Sequence, residues 1–312
     1  MEGSDLPLIS IGIPTYNRPE GLKRTLNCIL SQTYTKIEVI VSDNASVNTE
    51  VAKILNEYNT KDPRIKFYIQ NNNIGQISNF EFVLSKALGK YFIWAADDDE
   101  WQGSNFLTTL MKYAPENILT FPDAEVIEKN SNISYPIQSF KNCKTQLDYS
   151  INFCKCGWGY PLYGMFNMSL VKRYQLKFQF AHDLSYYMEG EFLHKLFLSG
   201  PTKYVKEAKI QYSYLGSEPS IDLCIDSWIK YYKRILMLYA NSNLSDEIKR
   251  NIIKSLIENY TNYTKSLFEK LIPFSYIQPE LDLENKAIKV GIFSKIFSRL
   301  KLALKVLLKG HY

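Results

Sequence analysis

The sequence predicts an α/β fold built on a mostly parallel sheet, and three observations carry that prediction. Short, largely apolar runs recur at 8–13, 37–42, 65–70 and 91–96, as expected of strands buried on both faces. Segments of helical periodicity lie between them. The first, second and fourth runs close on clusters of polar residues, and the third on an asparagine-rich turn.

The first run ends at Pro14-Thr15-Tyr16-Asn17-Arg18-Pro19, and a helix over 21–32 follows, with Leu22, Leu26, Ile29 and Leu30 on one face. The second closes at Asp43-Asn44-Ala45-Ser46 before a helix over 51–58. The third leads into the turn Asn71-Asn72-Asn73-Ile74-Gly75 and a helix over 77–87. The fourth, Tyr91-Phe92-Ile93-Trp94-Ala95-Ala96, ends on three carboxylates, Asp97-Asp98-Asp99. Strand–helix alternation at this spacing implies right-handed crossovers. In such sheets ligands collect beyond the carboxyl ends of the strands. Thr15 to Arg18, Asp43 and Asp97 to Asp99 all fall there.

Farther on the pattern loosens. Residues 124–160 read as loop-rich, 164–170 as a strand, 192–198 as a helix, 210–215 as an edge strand, and 226 to about 271 as amphipathic helix. No internal repeat or low-complexity segment appears.

The composition narrows the classes of function. The 312 residues include five cysteines without a CxxC pair, and Cys154-x-Cys156 has neither a second pair nor nearby histidines, which argues against zinc. Reduced thiols in a cytoplasmic protein are the simplest account. The N-terminus offers no signal-peptide pattern, and no stretch of eighteen uninterrupted apolar residues suggests a span. Net charge is +5, but residues 286–312 hold seven Lys/Arg and no Asp/Glu. A slightly acidic body with a basic tail argues against a nucleic-acid partner.

Adjacent carboxylates repel, so three at the mouth of a buried strand call for an explanation. A hard divalent cation carrying phosphate ligands would supply one; a solvated turn, or a cluster capping a helix over 101–111, is the other. The chain has no GxGxxG, no GxxxxGK[ST] and no Gly-x-Ser-x-Gly, and its three histidines are scattered. A diphosphate can still be held through a metal. Asp43 could then accept a hydrogen bond from a base imide N–H, and the Tyr16 ring could pack on that base.

Four segments, in order, carry a resemblance: Pro14-Thr15-Tyr16-Asn17-Arg18; Ser42-Asp43-Asn44-Ala45-Ser46; Asn73-Ile74-Gly75 with Asn79; and Trp94-Ala95-Ala96-Asp97-Asp98-Asp99-Glu100-Trp101. Together they resemble a family 2 glycosyltransferase of the GT-A fold, of the bacterial surface-polysaccharide type. The resemblance implies a nucleotide-sugar donor, UDP-linked in the first instance, a divalent metal (Mn2+ or Mg2+) and inversion at the anomeric carbon. It implies that Pro14, Thr15, Tyr16 and Arg18 form the first nucleotide-binding segment, that Asp43 reads the base, and that Asn73 and Asn79 serve the donor, with a helix-surface asparagine as the other reading of Asn79. Asp97 is then directed to the ribose and Asp98 to the metal, while Asp99 either joins the metal or caps the following helix. Ala96 fills the first position of the commoner Asp-x-Asp-Asp form, which leaves open which aspartate holds the metal.

Inversion needs one general base. Glu189-Gly190-Glu191, ahead of a helix ending at Gly200, resembles the family's catalytic segment, with Glu189 where Asp is usual. Glu189 is the first candidate, Glu191 the second and Asp183 the third; the alternative is acidic residues favoured by a helix dipole. His182 could join a metal, and His194 reads as structural. Residues 157–164 resemble the acceptor side, where Trp158 and Tyr160 either stack on sugars or pack in the core.

In the tail, Ile292, Ile296, Leu300, Leu304 and Leu308 share an apolar arc of about 160° flanked by cations, with Lys289 as the exception. Such an arc suits an anionic membrane surface, or docks on its own domain. The expected organisation is a catalytic domain over 1–220 (nucleotide-binding half 1–122, acceptor half 123–220), a helical extension over 221–285, and the tail. The expected activity is metal-dependent transfer to a glycan or lipid-linked acceptor, in the cytoplasm at the inner face of the membrane. A non-catalytic nucleotide-sugar-binding protein, or a nucleotidyltransferase, are the alternatives. The latter needs a first loop richer in Gly and Lys/Arg than 14–21.

Overall fold

The computed structural model describes residues 6–128, 133–137, 140–156, 159–183, 188–214 and 221–256. Strand β1 (Ile9–Thr15) is buried at every position. Helix α1 (Pro19–Leu30) starts with proline in its first turn and turns Leu22, Leu26 and Ile29 inward. Strand β2 (Ile37–Asp43) is again fully buried. Helix α2 (Thr49–Lys61) is capped by Asn48, whose side chain accepts from the Glu50 N–H. Strand β3 (Ile65–Ile69) leads through Gly75, at φ 85°, into helix α3 (Gln76–Ser85), and β4 (Tyr91–Trp94) follows. This half matches the expected alternation element for element.

The remaining elements are β5 (Glu100–Trp101), α4 (Phe106–Met111), β6 (Leu119–Glu128), β7 (Ile133–Ile137), α5 (Gln146–Cys156), a 3-10 turn (Tyr160–Tyr163), β8 (Met165–Asn167), α6 (Met168–Arg173), α7 (Gly190–Ser199), β9 (Thr202–Tyr214) and α8 (Ile221–Ala240). A further helical run covers 246–256.

One sheet runs in the order β3-β2-β1-β4-β8-β6-β9-β5, with β7 on β6. Strands β1 to β4 are mutually parallel, and β6 is parallel to β9. Strand β8 runs antiparallel between β4 and β6. Thus β1, β2 and β4 bring their carboxyl ends to one edge of the fold.

Several expectations give way. Residues 124–160 are not mainly loop: β6, β7 and α5 occupy much of the segment. Its long partner strand, β9, lies some eighty residues on, so its pairing leaves little local periodicity. The strand expected over 164–170 stops at Asn167, whose side chain accepts from the Leu170 N–H and opens α6. The edge strand expected at 210–215 is the end of β9, flanked by β6 and β5. The helix expected over 101–111 begins only at Phe106, after Gly103 at φ 77°. Asp99 therefore precedes a strand and caps no helix. Helix α8 starts at residue 221 rather than 226, and 241–245 interrupt the helical run.

The main hydrophobic core encloses the sheet from Ile9 to Ile210. A second cluster gathers Tyr231, Tyr232, Ile235, Tyr239, Ile252 and Leu256 against Cys154. Among the described residues no helix is long and apolar enough to cross a membrane. The expected tail 286–312, the end of the extension, and Trp158 lie outside the described residues.

Candidate active site

The site is assembled from three strand ends. Thr15, the last residue of β1, donates its hydroxyl to Asp97 Oδ2 at 2.7 Å. Arg18, one residue before α1, places Nη1 2.9 Å from Asp97 Oδ1 and 2.6 Å from Asp98 Oδ2. Burial pushes the Asp97 carboxyl above the ordinary aspartate range, while Arg18 and Thr15 hold it partly down. For Arg18, burial works against the charge, but Asp98 and Asp97 outweigh it and the guanidinium holds its proton more tightly than usual. Helix α1 approaches this strand end because residue 21 is glycine. A Cβ there would stand 1.9 Å from the Asp97 carbonyl oxygen. Thr25, one turn on, donates to the carbonyl of Ala96 at 3.1 Å.

The loop after β1 is tied to the loop after β2. Asn17, at φ 56°, accepts the Val47 and Asn48 N–H groups on Oδ1 and donates its own N–H to Ser46 Oγ. Ser46 in turn donates its N–H and hydroxyl to Asp43 Oδ1. Among the described residues nothing bonds to Asp43 Oδ2. Asp43 itself is buried and is not part of the cleft lining.

A cleft of about 540 Å³ opens over these ends, lined by Pro14, Thr15, Tyr16, Arg18, Asn73, Asn79 and all three aspartates. Tyr16 is 42% exposed. Asn73 Oδ1 accepts from Asn44 and from the Gly75 N–H, fixing the turn that opens α3. Asn79 reaches the lining but is not a surface side chain: its Oδ1 accepts from Ser42 Oγ at 2.6 Å and its Nδ2 donates to the Ser42 carbonyl at 3.0 Å. Both ends of that amide hold α3 to β2.

None of the three candidate bases lines the cleft. Asp183 and Glu191 are ion-paired with Arg234, at 2.7 and 3.7 Å, and Glu191 also with Lys195 at 2.7 Å. Glu189 differs: burial lifts its carboxyl above the ordinary glutamate range, and among the described residues no cation pairs with it. The His182 ring stands 3.1 Å from Glu81 and is not part of the lining. His194 is fully buried between tyrosines, as its structural reading expected.

Tyr163 was not among the sequence candidates, yet it lines the cleft. Burial, and then the charges of Asp99, Asp98, Glu189 and Asp97, drive its hydroxyl far above the usual tyrosine range. It is thus near enough to feel the charge of the aspartates and of Glu189 alike. The aromatic stretch 157–164 was the available signal; it pointed to the segment, but spacing could not select the residue. Tyr160, its sequence candidate, packs in the core against Phe121 and Phe140. Trp101 likewise stacks on Phe106 at 4.6 Å. Among the described residues no three His, Cys, Asp or Glu side chains cluster as a ready-made metal site.

Comparison with known proteins agrees with this geometry. The model of "Glycosyl transferase family 2" matches residues 10–174. A Campylobacter jejuni relative described as GalNAc(5)-diNAcBac-PP-undecaprenol beta-1,3-glucosyltransferase is 28% identical over 202 residues, 62% of this chain and 64% of that protein. The match thus spans less than two thirds of the relative's length. S. aureus TarS 1-349 in complex with UDP-GlcNAc superposes with a TM-score of 0.69 at 15% identity, covering 95% of this chain and 92% of that one. The mannosyltransferase PcManGT of Pyrobaculum calidifontis, in complex with GDP-Man and Mn2+, gives 0.56 at 14% identity, covering 97% and 82%. These likenesses establish the α/β, GT-A fold. By its matched half and its fold, this chain belongs to glycosyl transferase family 2.

Proposed function

We propose that the protein is a metal-dependent glycosyltransferase that moves a hexosyl group, with inversion, from a UDP-linked donor to a lipid-linked or glycan acceptor. The observation that carries this reading is the meeting of Thr15, Arg18 and three successive aspartates in one cleft with Tyr163, beside Glu189.

On the donor side, Tyr16 offers an exposed ring to the base, and Asp43 Oδ2 is the acceptor for its imide N–H. Asn73 shapes the loop beside it. Asp97, already bonded to Thr15 and Arg18, marks the ribose end. The residues suit Mn2+ or Mg2+ in kind, because hard carboxylate oxygens face a cleft with room for a diphosphate, and such ions complete their shells with phosphate and water. Arg18 on Asp98 marks the position where a cation is favoured. Asp98, with Asp99 beside it, would hold the ion. When bound, it would offset charge on the departing diphosphate.

Glu189 takes the proton from the acceptor hydroxyl. The acceptor oxygen bonds to the anomeric carbon from the face opposite the diphosphate, whose bond breaks with both electrons leaving on oxygen. A carboxylate whose proton affinity is raised by desolvation, with no described cation paired to it, suits a general base. Glu191 and Asp183, tied to Arg234, rank behind it.

The names of the relatives support the finer assignments. The Campylobacter protein is described by an undecaprenol-diphosphate substrate, TarS is seen with UDP-GlcNAc, and PcManGT with Mn2+. A place in surface polysaccharide assembly, peripheral on the inner face of the cell membrane, belongs to the same proposal. So does the division into a catalytic domain over 1–220, an extension over 221–285 and a tail, which the two hydrophobic clusters support.

The test is thermal unfolding and hydrolysis with a panel of UDP-, dTDP-, GDP- and CDP-sugars, with and without Mn2+, on wild type and Asp98→Ala. Metal-dependent stabilisation by one nucleotide, lost in the variant, is expected. No response to any nucleotide would reject the reading, and binding without turnover that Glu189→Gln leaves unchanged would favour a non-catalytic binding protein.

A further inference from the structure

Glu189 occupies the position just before α7, and the first turn of that helix packs against α8. His194, on α7, is fully buried. Its Nδ1 lies 2.6 Å from the Tyr239 hydroxyl and its Nε2 3.0 Å from the Tyr231 hydroxyl. Burial holds the imidazole's pKa down at about 3, so it is neutral, with one ring nitrogen donating and the other accepting. The Tyr231 ring also closes on α7 where residue 190 is glycine: a Cβ there would collide with Tyr231 Cε2. Tyr231 is near enough to Glu189 to feel its charge.

Apolar contacts alone let two helices slide, whereas a ring with both nitrogens bonded fixes rotation as well as distance. We propose that Tyr231 and His194 are positioning residues for Glu189: the Tyr231–His194–Tyr239 tie seats the first turn of α7 against α8 and so sets where the Glu189 carboxyl sits. The inference rests on Glu189 being the base. Among the described residues, the titratable groups near enough to feel that carboxyl's charge are Tyr163 from the 3-10 turn and Tyr231 from α8. Along the outer side of α7, Glu191 and Asp183 are paired with Arg234.

Tyr231→Phe removes the hydroxyl and keeps the ring; Gly190→Ala pushes the ring away; Tyr239→Phe removes the other imidazole bond without touching Gly190. For each, UDP binding, the kcat and KM of hydrolysis of the UDP-sugar that stabilises the protein, and the titration of 13C-labelled glutamate carboxyls would be measured. Glu189→Gln assigns the Glu189 signal. The expected result is unchanged UDP binding and KM, kcat lower by about ten-fold, and a Glu189 titration moved to lower pH as water reaches the carboxyl. The acid limb of the pH–rate profile then moves the same way. Wild-type kcat and titration in the variants that fold would overturn the inference, provided Glu189→Gln is inactive. An active Glu189→Gln would instead overturn the base assignment beneath it.

Discussion

Arg18 Nη1 lies 2.6 Å from Asp98 Oδ2, and the same nitrogen reaches Asp97 Oδ1 at 2.9 Å. The chain thus carries its own cation between two of its three adjacent carboxylates. The Asp98 side chain is 23% exposed and that of Arg18 45%, so water screens the pair and its net worth is modest, about 0.2–1 kcal/mol. An ion arriving at Asp98 has to compete with this guanidinium. Arg18→Ala should therefore bind Mn2+ about 1.4- to five-fold more tightly in the absence of nucleotide, that energy expressed as a ratio. Electron paramagnetic resonance of unbound Mn2+ reads this directly. UDP affinity should fall in the same variant, because the guanidinium is then unavailable to the diphosphate. Weaker Mn2+ binding would show instead that Arg18 organises the aspartates rather than competing for them.

Glu189 is set against Gly159, where a Cβ would collide with its carboxyl, and burial raises its affinity for a proton. An acid whose folded pKa lies above its unfolded value contributes most when protonated; that contribution is present at low pH and is lost as pH rises through the folded pKa. Glu189→Gln should abolish turnover yet raise the melting temperature by a few degrees at neutral pH. The gain should shrink as pH falls through the raised folded pKa and be gone by the ordinary glutamate range. Melting curves of both proteins from acid to neutral pH check the sign, and a variant less stable than wild type at neutral pH would contradict it.

The first hundred residues were legible because each parallel strand there is a contiguous apolar run ended by residues of a different chemistry. Asp97 to Asp99, Arg18 and Thr15 meet because β1 and β4 are neighbours in register, Ile9 with Tyr91 and Gly12 with Trp94. The second half was harder for a physical reason. Strand β8 is only three residues long, and β6 pairs with β9 across a register shift between Pro122 and Asp123. Neither leaves a periodic trace. Arg234, which ties down Asp183 and Glu191, and Tyr163, which lines the cleft beside the aspartates, owe their places to contacts far apart in sequence. The triplet at 97–99 shows the limit from the other side. Sequence allowed Asp99 to be a helix cap, and only the insertion of β5 before α4 removes that reading.

Asn17 joins the two loops that flank the cleft, and it does so from a left-handed conformation at φ 56°. Asparagine tolerates that region better than most residues, whereas alanine pays about 1–2 kcal/mol there. Asn17→Gly keeps the backbone and loses the two bonds to Val47 and Asn48; Asn17→Ala loses both. Chemical denaturation should rank wild type above Gly and Gly above Ala. If the loop presents Asp43 and Tyr16 to the base, UDP affinity should fall in both variants by a similar factor, measured by calorimetry. Unchanged affinity would confine Asn17 to a folding role.

Gly21 permits the closest approach of a helix to the carboxylate-bearing strand end. The hypothetical Cβ, 1.9 Å from the Asp97 carbonyl oxygen, is far inside contact distance and meets backbone rather than a flexible side-chain tip. Gly21→Ala must therefore shift α1 or the strand end. Overpacking of this kind costs about 1–3 kcal/mol. The intrinsic gain from replacing glycine by alanine inside a helix is about 1 kcal/mol, so it offsets only part of the loss. The displacement is aimed at the site: Arg18, immediately before α1, and Thr25, bonded to Ala96, both move with the helix. The variant should fold with reduced stability, and its UDP affinity should fall by more than in an equally destabilised core variant such as Leu55→Ala on α2. Equal losses in the two variants would mean that Gly21 serves packing alone.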